Sequence, residues 1–142
     1  LYENSRVPIA KQLSQALRPI RADSAQIRQV LHNLIQNAQD ALEQSENANK
    51  PVIEVRTEMQ GDRVKIAVSD NGPGFPEEMM TRIFEPYVTT KPRGTGLGLA
   101  VVKKIVDEHH GSIAIENRPQ RGACVSVLLP AMDEQGAASK AA

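Results

Sequence analysis

In FEPYVTTKPRGTGLGLAVVKKIV, residues 84–106, Gly94, Gly96 and Gly98 alternate directly before an apolar, helix-forming series. Glycine weakens a helix start, so its repeated use there means that something must approach the backbone closely. Thr89, Thr90, Lys91 and Arg93 lie just upstream and Thr95 adds a hydroxyl within the run. That company points to an anion, and free amides with the helix dipole make a helix N-terminus a phosphate site. A flexible linker is the bland alternative, but Leu97 and Leu99 resume an apolar pattern at once. The run is not the dinucleotide fingerprint, because Leu99 stands where that motif needs its third glycine. No Gly-Lys-Ser/Thr occurs, so it is not a P-loop, and the protein-kinase signatures are absent.

The rest of the chain supplies a scaffold. Residues 7–21 read as two short strands punctuated by Pro8 and Pro19. Asp23 can cap a helix from Ser24 to about Gln44, whose apolar face is Ile27, Val30, Leu31, Leu34, Ala38 and Leu42. Strands are expected at 52–59 and 63–69, turned at Gln60–Gly61–Asp62, with a loop at Asp70–Pro76 and a short helix at 77–83. A helix from about Gly96 to His109, stopped by Gly111, precedes strands at 112–117 and 123–129. The expected fold is an α/β sandwich: a mixed, mostly antiparallel sheet of about five strands with three helices on one face. Residues 1–130 would form one domain and 131–142 a disordered tail.

Composition removes several function classes. Formal net charge is zero, tryptophan is absent and aromatics are 3%, so neither a basic nucleic-acid surface nor a base-stacking platform is expected. No apolar run is long enough to cross a bilayer, and the first residues lack a signal pattern. Cys124 is the sole cysteine, which excludes an internal disulfide and a cysteine metal cluster and suggests an intracellular setting.

Three further constellations carry chemistry. In HNLIQNAQDAL, residues 32–42, Asn33, Asn37 and Asp40 share a helical stripe with Gln44 beside the apolar face. Either this is an ordinary polar flank, or the amide oxygens offer hard ligands to a Mg²⁺ that also carries nucleotide phosphates. In RVKIAVSDNGPG, strand parity puts Asp70 on the core side with Val64, Ile66 and Val68. A carboxylate there must be hydrogen-bonded, and it could accept from an amino group such as that of adenine. Gly72 and Gly74 would let the loop lie against a flat ring, although Asp-Asn-Gly is also a common turn. QRGACVSVLLP, residues 120–130, reads as a terminal strand after a turn. His32, His109 and His110 fall at no zinc spacing and pair with no serine nucleophile.

Taken in order, these pieces resemble the catalytic, ATP-binding domain of bacterial sensor histidine kinases, within the GHKL ATPase superfamily. NLIQNAQDAL resembles the N box, DNGPG the first glycine box and FEPYVTTK the F box with its lid. GTGLGLAVVKKIVDEHHG resembles the second glycine box, and RGACVSVLLP the closing strand. The match covers roughly residues 20–130, and the Thr-Thr-Lys run is most like nitrogen-regulatory sensor kinases. The resemblance implies a Bergerat fold holding ATP and Mg²⁺ under a mobile lid. It implies that Asp70 binds the adenine amino group, directly and through water, that Asn37 holds Mg²⁺, and that Asn33 lies beside the phosphates. Gly72 and Gly74 would shape the adenine wall. Thr89, Thr90, Lys91, Gly94, Thr95, Gly96, Leu97 and Gly98 would form the phosphate-side lid, with Lys91 acting in catalysis alongside Asn33 and Asn37.

The implied reaction is transfer of the γ-phosphate to a histidine on a separate dimerisation hairpin of the same kinase, and from there to a response regulator. None of the three histidines has the motif of that acceptor, so this chain would be the catalytic half of the enzyme. It would be a cytoplasmic domain, monomeric when isolated, of a parent often anchored in the inner membrane. Some positions depart from the family pattern. Asp40 and Ala41 replace a frequent basic and aromatic pair, and Ala123 replaces a frequent threonine after Gly122. Gyrase- and chaperone-type ATPases carry a general-base glutamate one turn before the key asparagine, where this chain has Asn33. An anti-sigma-type serine kinase and a non-catalytic nucleotide-binding module are the other readings.

Overall fold

Val64, Ile66, Val68 and Asp70 alternate along one strand, and all four are buried. That strand is the centre of the fold. The computed structural model describes residues 7–43, 50–86, 98–119 and 121–132. In chain order the elements are β1 (Ile9–Leu13), α1 (Ser24–Glu43), β2 (Ile53–Gln60), β3 (Arg63–Asp70), α2 (Gly98–Glu108), β4 (Ser112–Asn117) and β5 (Ala123–Pro130). The sheet order is β1-β2-β3-β5-β4. Only the β1–β2 pair is parallel, so the sheet is mixed and mostly antiparallel, as expected.

Both helices lie on one face of this sheet. α1 turns Val30, Leu34, Ile35, Ala38 and Leu42 inward, and α2 turns Leu99, Val102, Ile105 and Val106 inward. They meet Ile53, Val55, Val64, Ile66, Val68, Val125, Val127 and Leu129 from the strands. A fully buried Val or Leu contributes about 1.5–3 kcal/mol. An asparagine costs a helix at most roughly 0.7 kcal/mol relative to alanine, so the docked face easily tolerates Asn33 and Asn37. Asp23 caps α1 as expected: its Oδ1 accepts from the amides of Ala25 (2.9 Å) and Gln26 (3.1 Å).

Three local expectations need correction. Residues 7–21 hold one strand, β1, and then a single bridge from Ile20 to Ala131, because the prolines interrupt the ladder. The third helix expected at 77–83 is a 3₁₀ turn, Glu77–Met79, followed by further turns. Its amides bond three residues back (Met80 to Glu77, Arg82 to Met79), since so short a segment does not stabilise an α nucleus. α2 ends with His110 in the left-handed region, φ 59°, rather than with glycine. The His110 amide donates to Asp107 O (3.1 Å) and the Gly111 amide to Val106 O (2.9 Å), a Schellman end. Beyond β5, Ala131 bridges to Ile20 and Met132 N–H donates to Pro19 O at 2.7 Å.

Candidate functional site

Asp70 ends β3 at the mouth of the helix–sheet layer and is 4% exposed. Its Oδ1 accepts from the Gly72 amide at 2.9 Å, and the Ala123 amide also bonds to the carboxylate. Burial raises its pKa above the ordinary carboxylate value, while the two amides and the nearby Arg118 guanidinium oppose that rise. Gly72 lies against the Ala41 carbonyl and the Leu42 side chain, so the loop after Asp70 touches the C-terminal end of α1.

Two asparagines hold that loop, each by paired bonds to backbone. Asn71 Oδ1 accepts from Val52 N–H (3.0 Å) and its Nδ2 donates to Lys50 O (3.1 Å). Asn117, at the end of β4, accepts from Phe75 N–H and donates to Phe75 O, both at 2.8 Å. Gly74 sits between these anchors at φ 84°, and a Cβ there would stand 2.8 Å from Asn117 Oδ1. Gly122, at φ 98°, passes so close to the Asp70 carbonyl that any Cβ would collide with it. The turn is closed by Arg118 N–H donating to Gly122 O at 2.8 Å, and Arg118 Nη1 reaches Asp70 O at 3.4 Å.

The polar stripe of α1 joins this loop to the start of α2. Asn33 Nδ2 donates to Gly98 O at 3.1 Å, and its Oδ1 accepts from Gln29 Nε2 at 2.7 Å. Asn37 follows one turn later, half-buried, and Ala41 another turn on. From Asn33 to Ala41 the helix rises about 12 Å, which separates the Gly98 end from the Asp70 end. The structure thus brings Asn33 to Gly98 at one end of α1 and Gly72 with Asp70 to the other, with Asn37 on the helix between them and Gly74 farther along the Asp70 loop. Thr89, Thr90, Lys91, Gly94, Thr95, Gly96 and Leu97 lie outside the described residues.

Among the described residues no three His, Cys, Asp or Glu side chains cluster as a metal site. Mg²⁺ takes oxygen ligands and leaves most of its shell to water and substrate phosphates, and an amide oxygen such as that of Asn37 is chemically admissible in that set. Asn71, Asn117, Arg118 and Gly122 were not singled out by sequence reasoning. Their partners lie far along the chain, and a lone Asn-Gly or a glycine before a strand reads as ordinary turn chemistry. The polarity of Asn117 at the end of a strand was the one available signal.

Comparison with known proteins agrees with this geometry. Residues 22–133 match the family described as histidine kinase-, DNA gyrase B-, and HSP90-like ATPase. A putative NtrY-like sensor histidine kinase of Rickettsia conorii is 43% identical over 105 residues, which is 74% of this chain but 17% of the relative. The chain therefore spans about a sixth of the length of that relative. The nucleotide-free catalytic domain of histidine kinase ThkA superposes with a TM-score of 0.74 at 36% identity, covering 88% of this chain and 79% of that one. ThkA has also been solved with the response regulator TrrA. Full-length ShkA in complex with AMPPNP superposes with a TM-score of 0.74 at 31% identity, covering 90% of this chain and 26% of that one. With its boxes in order along a five-stranded sheet and an aspartate buried at the end of the central strand, this chain belongs to the histidine kinase-, DNA gyrase B- and HSP90-like ATPase family, as an ATPase domain of the sensor histidine kinase kind.

Proposed function

We propose that this chain binds Mg-ATP and supplies the γ-phosphate for phosphorylation of a histidine on a separate dimerisation domain of its parent kinase. The observation that carries the reading is the buried Asp70 carboxylate, held by backbone amides beside a loop of small residues. An acceptor in that setting suits the 6-amino group of adenine, with Gly72 and Gly74 against the ring. From there a nucleotide laid along α1 would carry its phosphates past Asn37 to Asn33 and the α2 N-terminus. Asn37 would hold the Mg²⁺, whose chemistry is neutralisation of phosphate charge. Lys91, Thr89, Thr90 and the Gly94–Leu97 run would cover the phosphates from the lid side. The bond from γ-phosphorus to its bridging oxygen breaks as a nitrogen–phosphorus bond forms, and ADP leaves. The protein's share is positioning and electrostatics.

Likeness to sensor kinases, one of them solved with a bound nucleotide analogue and another with a response regulator, supports the same reading. We place the domain in the cytoplasm, attached to a parent that feeds a response regulator. Calorimetric titration with ADP should show saturable binding that Mg²⁺ strengthens, and Asn37→Ala should remove the magnesium effect while leaving nucleotide binding detectable. ATP labelled at the γ-phosphate should then label the histidine hairpin of the parent when that hairpin is supplied separately. Tight ADP binding without any label on the hairpin would reduce the chain to a nucleotide-binding module.

A further inference from the structure

We infer that Asn117 is a positioning residue for the nucleotide base, setting the Gly72–Phe75 wall relative to the Asp70 carboxylate; this rests on the nucleotide reading above. Both arms of its amide are spent on the backbone of one residue, Phe75, at 2.8 Å each. Paired bonds to a single peptide position fix orientation as well as distance, which one bond cannot do. Asn117 pairs in the ladder with Ala123, whose amide bonds to the Asp70 carboxylate. One end of the β4–β5 hairpin therefore holds both sides of the pocket: the acceptor through Ala123 and the wall through Asn117. Asn71 pins the other end of the loop to residues 50–52, so the loop has little freedom except through these two anchors. A Cβ at Gly74 would stand 2.8 Å from Asn117 Oδ1, so the bare glycine is what lets the Asn117 amide sit against the loop.

Asn117 is exposed and its two bonds hold only the loop, so their loss should free the loop locally rather than unfold the sheet. Base selectivity is where its loss should register, because Asp70 separates a 6-amino from a 6-oxo purine only if the ring is held in register. The test titrates ADP and IDP into the 142-residue chain, wild type and Asn117→Ala, and records unfolding without nucleotide. Wild type should prefer ADP. Asn117→Ala should bind ADP about tenfold more weakly, the scale of two lost hydrogen bonds, and its preference for ADP over IDP should shrink by a similar factor. Asn117→Asp keeps the acceptor for Phe75 N–H but turns a carboxylate oxygen on Phe75 O. It should show the same shrinkage to a smaller degree, and it carries the test if the alanine variant does not fold. Wild-type ADP affinity in both variants would overturn the inference, and so would an equal loss for ADP and IDP. Failure of the nucleotide reading is distinguishable, since wild type would then bind neither nucleotide and the inference would fall with it.

Discussion

At the scale of single residues, Asp70 shows a conflict between folding and chemistry. An acidic group at 4% exposure has its pKa pushed up by burial, and two backbone amides with Arg118 only partly offset that. The native state therefore holds the proton more tightly than the unfolded chain does. Stability contributed by this group is full below its ordinary value of 3.8 and is lost as pH rises through the raised folded pKa. Asp70→Asn removes that dependence. Compared with wild type, the variant should gain relative stability as pH climbs through that window and then hold a constant difference, read as denaturant midpoints across a pH series. Its ADP affinity should fall by about 1.5–3 kcal/mol, the scale of a hydrogen bond to a charged group. Greater stability with weaker binding would mark a carboxylate retained for its ligand. Unchanged ADP affinity would remove Asp70 from the nucleotide site.

The ends of α2 show how neighbouring residues in one element can act with opposite sign. His109 Nδ1 meets Ile105 O at 2.8 Å, and its Nε2 accepts from Asp23 N–H at 3.3 Å, joining the end of α2 to the cap of α1. His110 occupies the left-handed C′ position, where a Cβ costs about 1–2 kcal/mol and glycine is the usual choice. Urea unfolding should show His109→Ala destabilised by about 1–2 kcal/mol, for two hydrogen bonds lost. His110→Gly should be stabilised by about 1 kcal/mol, with the m-value unchanged in both. Sequence periodicity finds such elements but not these joints. The 3.6-residue face of α1 and the alternation of β2, β3 and β5 are local, so the scaffold and the burial of Asp70 were readable. The turns at 77–83 were not, because acidic and methionine residues allow a helix that the short span between Pro76 and Pro86 does not sustain. The roles of Asn71 and Asn117 were hidden for a different reason, with only the polarity of Asn117 at a strand end as a hint. Each bonds a backbone segment 19–42 residues away, a pairing that leaves no pattern nearby.

On the scale of the whole molecule, the question is what surface remains for association once the site and core are accounted for. Among the described residues the large exposed hydrophobics are Leu13 and Val101, which sit on different elements, the β1 edge and α2. A stable interface buries about 800 Å² per partner around a contiguous apolar centre, and two isolated side chains do not supply one. The open sheet face is equally unsuited, since it carries the partly exposed pairs Glu54–Arg56 (3.7 Å) and Glu58–Lys65 (3.8 Å). Those charges would have to be desolvated for little return. Among the described residues β1 is an edge strand paired only with β2, but it spans five residues and carries Lys11, features that discourage edge-to-edge pairing. Zero net charge works the other way, removing the long-range repulsion that keeps many domains apart. Sedimentation equilibrium should therefore find a monomer, with at most weak, salt-independent association at high concentration. A stable dimer would mean that a surface outside these described residues provides the contact.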